Sequence, residues 1–334
     1  MSLAKKIISG DRRALARVLT LVENGDAHSK DVLAELHTHG GKAHFVGVTG
    51  APGVGKSSLV NFLAQSLRVL GDTVGVLAVD PSSPFGSGAI LGDRVRMADL
   101  TGDDGIYIRS MASRGAVGGL AYATGAAADV LDAAGFNYVI IETVGVGQSG
   151  VEISNHVHTT IVLVASGGGD DVQAIKSGIL ETADILVVNK ADLPGAEHVL
   201  ADMRSNVVMN PSPAPSDHHA KSKLFDGSDL AWRVPLLSTV ARSGDGVDLL
   251  IKSLLQHWEY LENSAEIDNR RRTRIRAILE SLLRNRLYTR FMEDISRKQF
   301  DALLESIVLR DIDPYSAAAR LIEEKYQASC LDKA

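Results

Sequence analysis

The chain holds 334 residues, of which 45% are hydrophobic and 23% charged, and its formal net charge is −6. That length supports one large or two modest domains with a packed core, and the acidic balance argues against nucleic acid or an anionic membrane surface as the main partner. One cysteine, Cys330, excludes an internal disulfide framework; no apolar run reaches the length of a membrane span and no signal-peptide pattern opens the chain, so the expected place is the cytoplasm.

Residues Ser2 to Gly40 read as helical, with Leu15, Val18, Leu19 and Val22 on one stripe and a break at Asn24-Gly25-Asp26. His44 to Thr49 then reads as a short buried strand. It runs into Gly50-Ala51-Pro52-Gly53-Val54-Gly55-Lys56-Ser57, and Ser58 opens a helix that puts Leu59, Phe62 and Leu63 on one face. Further strands are expected at Thr73–Val79, Gly105–Ile108, Asn137–Glu142, Thr159–Ala165, Asp184–Asn189 and Val234–Leu237. Helical stretches such as Gly119–Ala134 and Val172–Thr182 separate them. Alternation of continuous apolar strands with helices predicts an α/β fold of the P-loop NTPase type, a mostly parallel doubly wound sheet with helical extensions at both ends. Ligands of such sheets bind at the carboxyl ends of the strands.

From Asn206 to Trp232 the chain turns polar and reads as a surface excursion. His218-His219, and the set His37, His39 and His44, have no supporting cysteine and no i, i+4 pairing, so they read as solvated histidines. Only helices follow. Val247, Leu250, Ile251, Leu254, Leu255, Trp258 and Leu261 form an apolar stripe, then helices are expected over Glu266–Met292, Arg297–Leu309 and Pro314–Gln327. The arginine run from Arg270 to Arg276 reads as a solvated helix face. The tail is too polar to fold alone and must pack on the sheet domain, on the N-terminal helices or on another copy.

Gly50 to Ser57 fits G-x-x-x-x-G-K-[ST], a loop whose backbone N–H groups and following helix N-terminus cradle phosphates. The nucleotide-binding set is Gly50, Ala51, Pro52, Gly53, Val54, Gly55, Lys56, Ser57 and Ser58. Lys56 would reach the β- and γ-phosphates, and Ser57 would offer its hydroxyl to Mg²⁺. Asn189-Lys190-Ala191-Asp192 follows an apolar strand. A carboxylate at Asp192 can accept from the ring N–H and exocyclic amine of guanine, whereas adenine would leave it unpaired. Ser238-Thr239-Val240 stands where a loop backing the base is expected. Asp80 and Glu142 end strands and suit Mg²⁺; helix capping is the structural alternative for both. Asp93 follows a glycine-rich loop and would close on Mg²⁺ in one state only. The metal set is therefore Ser57, Asp80, Asp93 and Glu142, and the catalytic set Lys56, Asp93 and Glu142. Gly145 and Gln148 are placed to sense the γ-phosphate or orient water. Gly167 to Lys176 reads either as a third switch or as a plain connection. Arg94, Arg109 and Arg114 are candidates for an arginine reaching the transferred phosphate.

In this order the segments Gly50–Ser57, Val79-Asp80-Pro81-Ser82-Ser83, Ile90–Arg94, Ile108-Arg109-Ser110, Gly118-Gly119-Leu120, Ile141–Ser149 and Val188–Asp192 resemble the MeaB/ArgK/MMAA family of G proteins. That family lies within the class that includes signal recognition particle GTPases and HypB-type metallochaperones. The resemblance implies a helical extension over residues 1–40, a GTPase domain over 41–262 and a helical dimerisation arm over 263–334. It implies a Mg²⁺-dependent homodimer that binds GTP and GDP. Its client would be an adenosylcobalamin-dependent acyl-CoA mutase of the methylmalonyl-CoA type, whose cofactor loading it gates and which it protects. An older reading of the family as transport-system kinases, and a metal-insertion role, stay open as alternatives, as does a scaffold that does not hydrolyse. The chain departs from the family at Val172 and Ala174, where leucine and glycine are usual, and at Gly150-Val151 after Ser149, where an acid is frequent. These changes leave the nucleotide motifs intact.

Overall fold

The computed structural model describes residues 1–80, 100, 102–112, 119–143, 153–165, 179–209 and 232–331. Three helices come first: α1 (Leu3–Ile8), α2 (Arg12–Glu23) and α3 (Ser29–His37). Asp11 starts α2 by accepting from the N–H groups of Arg13 and Ala14, the usual way a carboxylate satisfies donors at a helix start. Leu15, Val18, Leu19 and Val22 are buried, as their spacing predicts.

Strands and helices then alternate: β1 (His44–Gly50), α4 (Lys56–Val69), β2 (Val74–Asp80), β3 (Ile106–Ala112), α5 (Gly119–Ala133), β4 (Tyr138–Thr143), β5 (Thr159–Ala165), β6 (Ile185–Asn189), α6 (Ala196–Met209) and β7 (Leu236–Ser238). The sheet order is β3-β2-β4-β1-β5-β6-β7, and every ladder among the described residues is parallel. Residues of β1, β4, β5 and β6 are buried throughout, as a sheet covered on both faces requires. On one face Leu59, Leu63 and Leu67 of α4 pack over Val46, Val48, Ile140 and Ile161. On the other, α1, α2 and α3 join α5 over Phe45, Leu77, Val139 and Ile141. The N-terminal helices thus complete the second layer. The chain passes from β4 to β5 across β1, so the topological switch lies at the carboxyl end of β1, where a ligand crevice forms. That is the end from which the glycine loop leaves.

Four helices close the chain: α7 (Val247–Asn263), α8 (Glu266–Glu293), α9 (Arg297–Val308) and α10 (Pro314–Leu331). The chain divides into two compact units, Met1–Ser281 and Leu282–Ala334. In the second, Ser296 caps α9 by accepting from the Gln299 N–H, and Asp313 caps α10 by accepting from Tyr315 and Ser316. Leu283, Leu287, Leu304, Val308 and Leu309 are exposed on this unit.

Four expectations are corrected. Leu255 of α7 faces solvent, and the buried position beside it belongs to His257. His44 is not solvated. Its Nε2 lies 2.6 Å from Thr159 Oγ1, that hydroxyl lies 2.8 Å from His257 Nδ1, and the His44 ring stacks on Trp258 at 4.3 Å. The arginine run is not wholly a solvated face. Arg270 donates to both Asp184 oxygens at 2.7 Å, and the buried Arg274 donates to Asp129 at 2.5 Å while its guanidinium sits 4.0 Å from the Phe45 ring centroid. A planar fork facing a carboxylate makes such burial tolerable; Arg271, Arg272 and Arg276 do face solvent. Arg109 is engaged elsewhere, donating to Glu23 at 2.5 Å and to Thr20 at 3.2 Å, which ties edge strand β3 to α2. Arg94, Arg114 and His218-His219 lie outside the described residues.

The amino ends of β1, β5 and β6 therefore carry a buried polar network. His44, His156 and His158 there are held neutral. Burial, with His158 alongside, pushes His44 well below its ordinary value; burial, with Arg274 alongside, brings His156 to about 4 and His158 to about 3. Burial alone would raise Asp184, but His257 and Arg270 outweigh it and hold the carboxyl low. Below the ordinary histidine value of about 6.5 the unfolded chain takes up protons that the folded chain refuses, so stability falls as pH drops. The loss from the depressed Asp184 begins only under the ordinary aspartate value of about 3.9, a separate window. Urea unfolding at pH 5 is expected to show several kcal/mol less stability than at pH 7, about 2 kcal/mol for each of His156 and His158, with His44 acting in the same direction; a flat profile over that range would contradict their burial.

Candidate functional site

The loop between β1 and α4 is fixed from both ends. Gly55 sits at φ +96°, a conformation that side chains resist, and a Cβ there would strike Asn189 Nδ2. Lys56 and Ser57 begin α4 and are buried, whereas Pro52, Gly53 and Ser58 are exposed. The Lys56 ammonium folds back over the loop and donates to the carbonyls of Gly50 at 2.8 Å and Ala51 at 2.9 Å. Positive charge thus gathers where the dipole of α4 is also positive.

Ser57 Oγ donates to Glu142 Oε1 at 2.7 Å, and both groups are buried. Register explains the meeting: Val48 of β1 stands beside Glu142 of β4. Hydroxyl and carboxylate oxygens are the hard donors that Mg²⁺ takes, with phosphate oxygens and water completing its shell, so this pair fits the ion. Asp80 ends β2, which neighbours β4 rather than β1. Its side chain is outside the described residues. Asp93, Gly145, Gln148 and the whole of Gly167–Lys176 are outside them too.

The third component is Asn189, 1% exposed at the end of β6. Its Nδ2 donates to the Val54 carbonyl at 2.7 Å, and its Oδ1 accepts from Thr239 Oγ1 at 3.0 Å and Ala241 N–H at 2.9 Å. The side chain therefore pins the phosphate loop to the loop after β7. Lys190 takes φ +58°, and the Ala191 N–H donates to the Thr239 carbonyl at 3.1 Å, which turns the chain and leaves Asp192 at the surface. Ser238 is exposed, Thr239 buried and Val240 half-buried, with the Val240 N–H on the Asp245 carbonyl. Gly50 to Ser57, Glu142, Asn189 and Thr239 are thus joined by contact, directly or through one another. The sequence reading missed Ala241 and the tethering role of Asn189; the signal available was the Gly244-Asp245-Gly246 turn after a strand, which marks a tightly shaped loop.

The arrangement is a glycine-rich loop with a buried lysine at the start of a helix, the buried Ser57–Glu142 pair beside it and the loop after β7 tied to it through Asn189. The sequence profile described as methylmalonyl Co-A mutase-associated GTPase MeaB matches residues 15–296. A Pyrococcus abyssi protein named as a GTPase is 40% identical over 322 residues, covering 96% of this chain and 95% of that protein. The mitochondrial methylmalonic aciduria type A homolog of Mus musculus is 30% identical over 332 residues, 95% of this chain and 77% of that protein. A crystal structure of a LAO/AO transport system kinase superposes with a TM-score of 0.67 over 97% of this chain and 96% of that one, at 24% identity, and so shares the fold.

Because Asn189 carries three buried hydrogen bonds, each contributing about 1 kcal/mol and more where a partner is left buried, Asn189→Ala is expected to lower the melting temperature and weaken nucleotide binding at least tenfold. Calorimetric titration with GDP checks this; affinity at the original level would show that the phosphate loop holds its shape unaided.

Proposed function

The chain belongs to the methylmalonyl Co-A mutase-associated GTPase family MeaB, and on that premise we propose that this GTPase serves an adenosylcobalamin-dependent acyl-CoA mutase, gating loading of its cofactor and protecting it. The observation that carries the reading is the reach of the family match, residues 15–296, which takes in the phosphate loop, Glu142, Asn189 and the whole of α8. The name of the mouse relative points the same way. Exposed Leu283, Leu287, Leu304, Val308 and Leu309 support a homodimer in which the tail, from residue 263 onward, acts as the arm.

Hydrolysis is attack by water on the γ-phosphorus as the bond to the bridging oxygen of GDP breaks, giving GDP and inorganic phosphate. Lys56 would leave the Gly50 and Ala51 carbonyls for the phosphate oxygens, joining the loop N–H groups in stabilising the charge. Ser57 and Glu142 would hold Mg²⁺ together with Asp80 and Asp93, and the ion would supply neutralisation of the phosphate charge. Asp192 would read guanine, with Lys190 and the 238–240 segment around the base.

An Asp192→Asn variant is expected to lose GTP affinity by a hundredfold or so and to gain affinity for xanthosine triphosphate, since an amide donor suits a carbonyl where guanine carries its amine. Competition binding with the two nucleotides decides it, and an unaltered preference for GTP removes Asp192 from the site. For the client, immobilised protein is expected to retain the host's cobalamin-dependent mutase differently with GDP and with a non-hydrolysable GTP analogue; no retention with either would end the chaperone reading.

A further inference from the structure

The loop after β7 is shaped before any nucleotide arrives. The Val240 N–H donates to the Asp245 carbonyl at 3.0 Å, Ser243 Oγ donates to Asp245 Oδ2 at 2.7 Å, and the Ala241 N–H is held by Asn189. These contacts fix the curve of the loop and one of its ends. Its height above the sheet is set elsewhere. Gly244, at φ +88°, lies against the ring of Phe62: a Cβ built on Gly244 would stand 2.9 Å from Cε1 and 3.0 Å from Cδ1. Phe62 is on α4, the helix that begins with Lys56 and Ser57, and packs on the same core as Leu59, Leu63 and Ala241. The ring is partly buried, and its packing against that core limits how far it can shift. One helix therefore carries the phosphate-side residues at its start and, further along, the support under the base-side loop.

We propose that Phe62 is a positioning residue for guanine-nucleotide binding: its ring is the seat on which the loop of residues 239–246 rests, and it keeps that loop in register with the phosphate loop. The proposal rests on the reading that this loop and Asp192 form the base side of the site. A nucleotide bridges both sides at once, so a displaced seat spoils the simultaneous fit, while the groups around the γ-phosphate stay in place. Affinity falls and turnover at saturation does not. A ring that merely filled the core would affect folding stability and leave affinity alone.

The test uses the full chain with Phe62→Ala, Phe62→Leu, Gly244→Ala and the double variant Phe62→Leu/Gly244→Ala, each checked for folding by circular dichroism. GDP affinity by calorimetry and steady-state GTP hydrolysis are the readouts. Phe62→Ala is expected to raise the GDP Kd and the KM for GTP about tenfold with kcat within about twofold, and Phe62→Leu to recover most of the loss. Gly244→Ala is expected to weaken GDP comparably, and the smaller leucine beneath it to return part of that loss, so the pair is non-additive. A folded Phe62→Ala protein with a lower melting temperature and unchanged GDP affinity would overturn the proposal, as would strict additivity of the pair. Should Phe62→Ala fail to fold, Phe62→Leu and Gly244→Ala decide the matter by the same readouts. Asp192→Ala separates the two levels of inference. If it also leaves GDP binding intact, the base-side reading itself falls; if it weakens GDP while the Phe62 and Gly244 variants do not, only the seat falls.

Discussion

A single buried amide holds the two sides of the site together. Asn189 donates to the phosphate-loop carbonyl of Val54 and accepts from Thr239 and Ala241 of the loop beyond β7. Each of these groups is away from water, so each needs a partner of the right polarity at the right distance. The amide alone, among side chains of that size, offers donor and acceptor from one rigid plane. Gly55 is glycine for the same reason, since any side chain there would occupy the space of the Asn189 Nδ2. Loops otherwise free to drift are thereby fixed relative to each other, which a ligand with a charged tail and a flat base demands.

The opposite end of the sheet solves a different problem. Strand starts there leave polar groups inside a two-sided fold, and a histidine–threonine–aspartate–arginine chain links several of them. Arg270 and Arg274 reach in from α8 to Asp184 and Asp129, so the root of α8 is secured to the start of β6 and to α5 by charge as well as by packing. Breaking such pairs costs more than forming them gains. His44 and His158 are neutral because burial penalises their charged form. The chemical end and the anchoring end thus lie at opposite ends of the same strands.

Much of this was legible beforehand. The apolar runs, the helix stripes at Leu15–Val22 and Val247–Leu261, and the loop from Gly50 to Ser57 are local patterns, and each becomes the element its pattern predicts, because burial on one face or two leaves a periodic trace. What failed was assignment of partners. His44 sits at a strand start with no companion nearby, and only folding brings it to Thr159 and His257. Arg270 to Arg276 looks like a charged surface because its periodicity gives no sign of Asp184 or Asp129, which lie far back along the chain. Glu142 was legible as a strand-end acid, but its place beside Ser57 came from the strand order.

By itself the sequence determined which residue types stand at which strand ends, and so which chemistry was possible: a phosphate cradle, an amide and an acid fit for a base, hydroxyl and carboxylate oxygens fit for a hard cation. The tertiary structure alone decided which of these meet. Periodicity reports the face a side chain takes, whereas contact depends on strand order and register, and these are set by the packing of the whole sheet. β4 beside β1 brings Glu142 to Ser57, and α4 beneath the last loop puts Phe62 against Gly244.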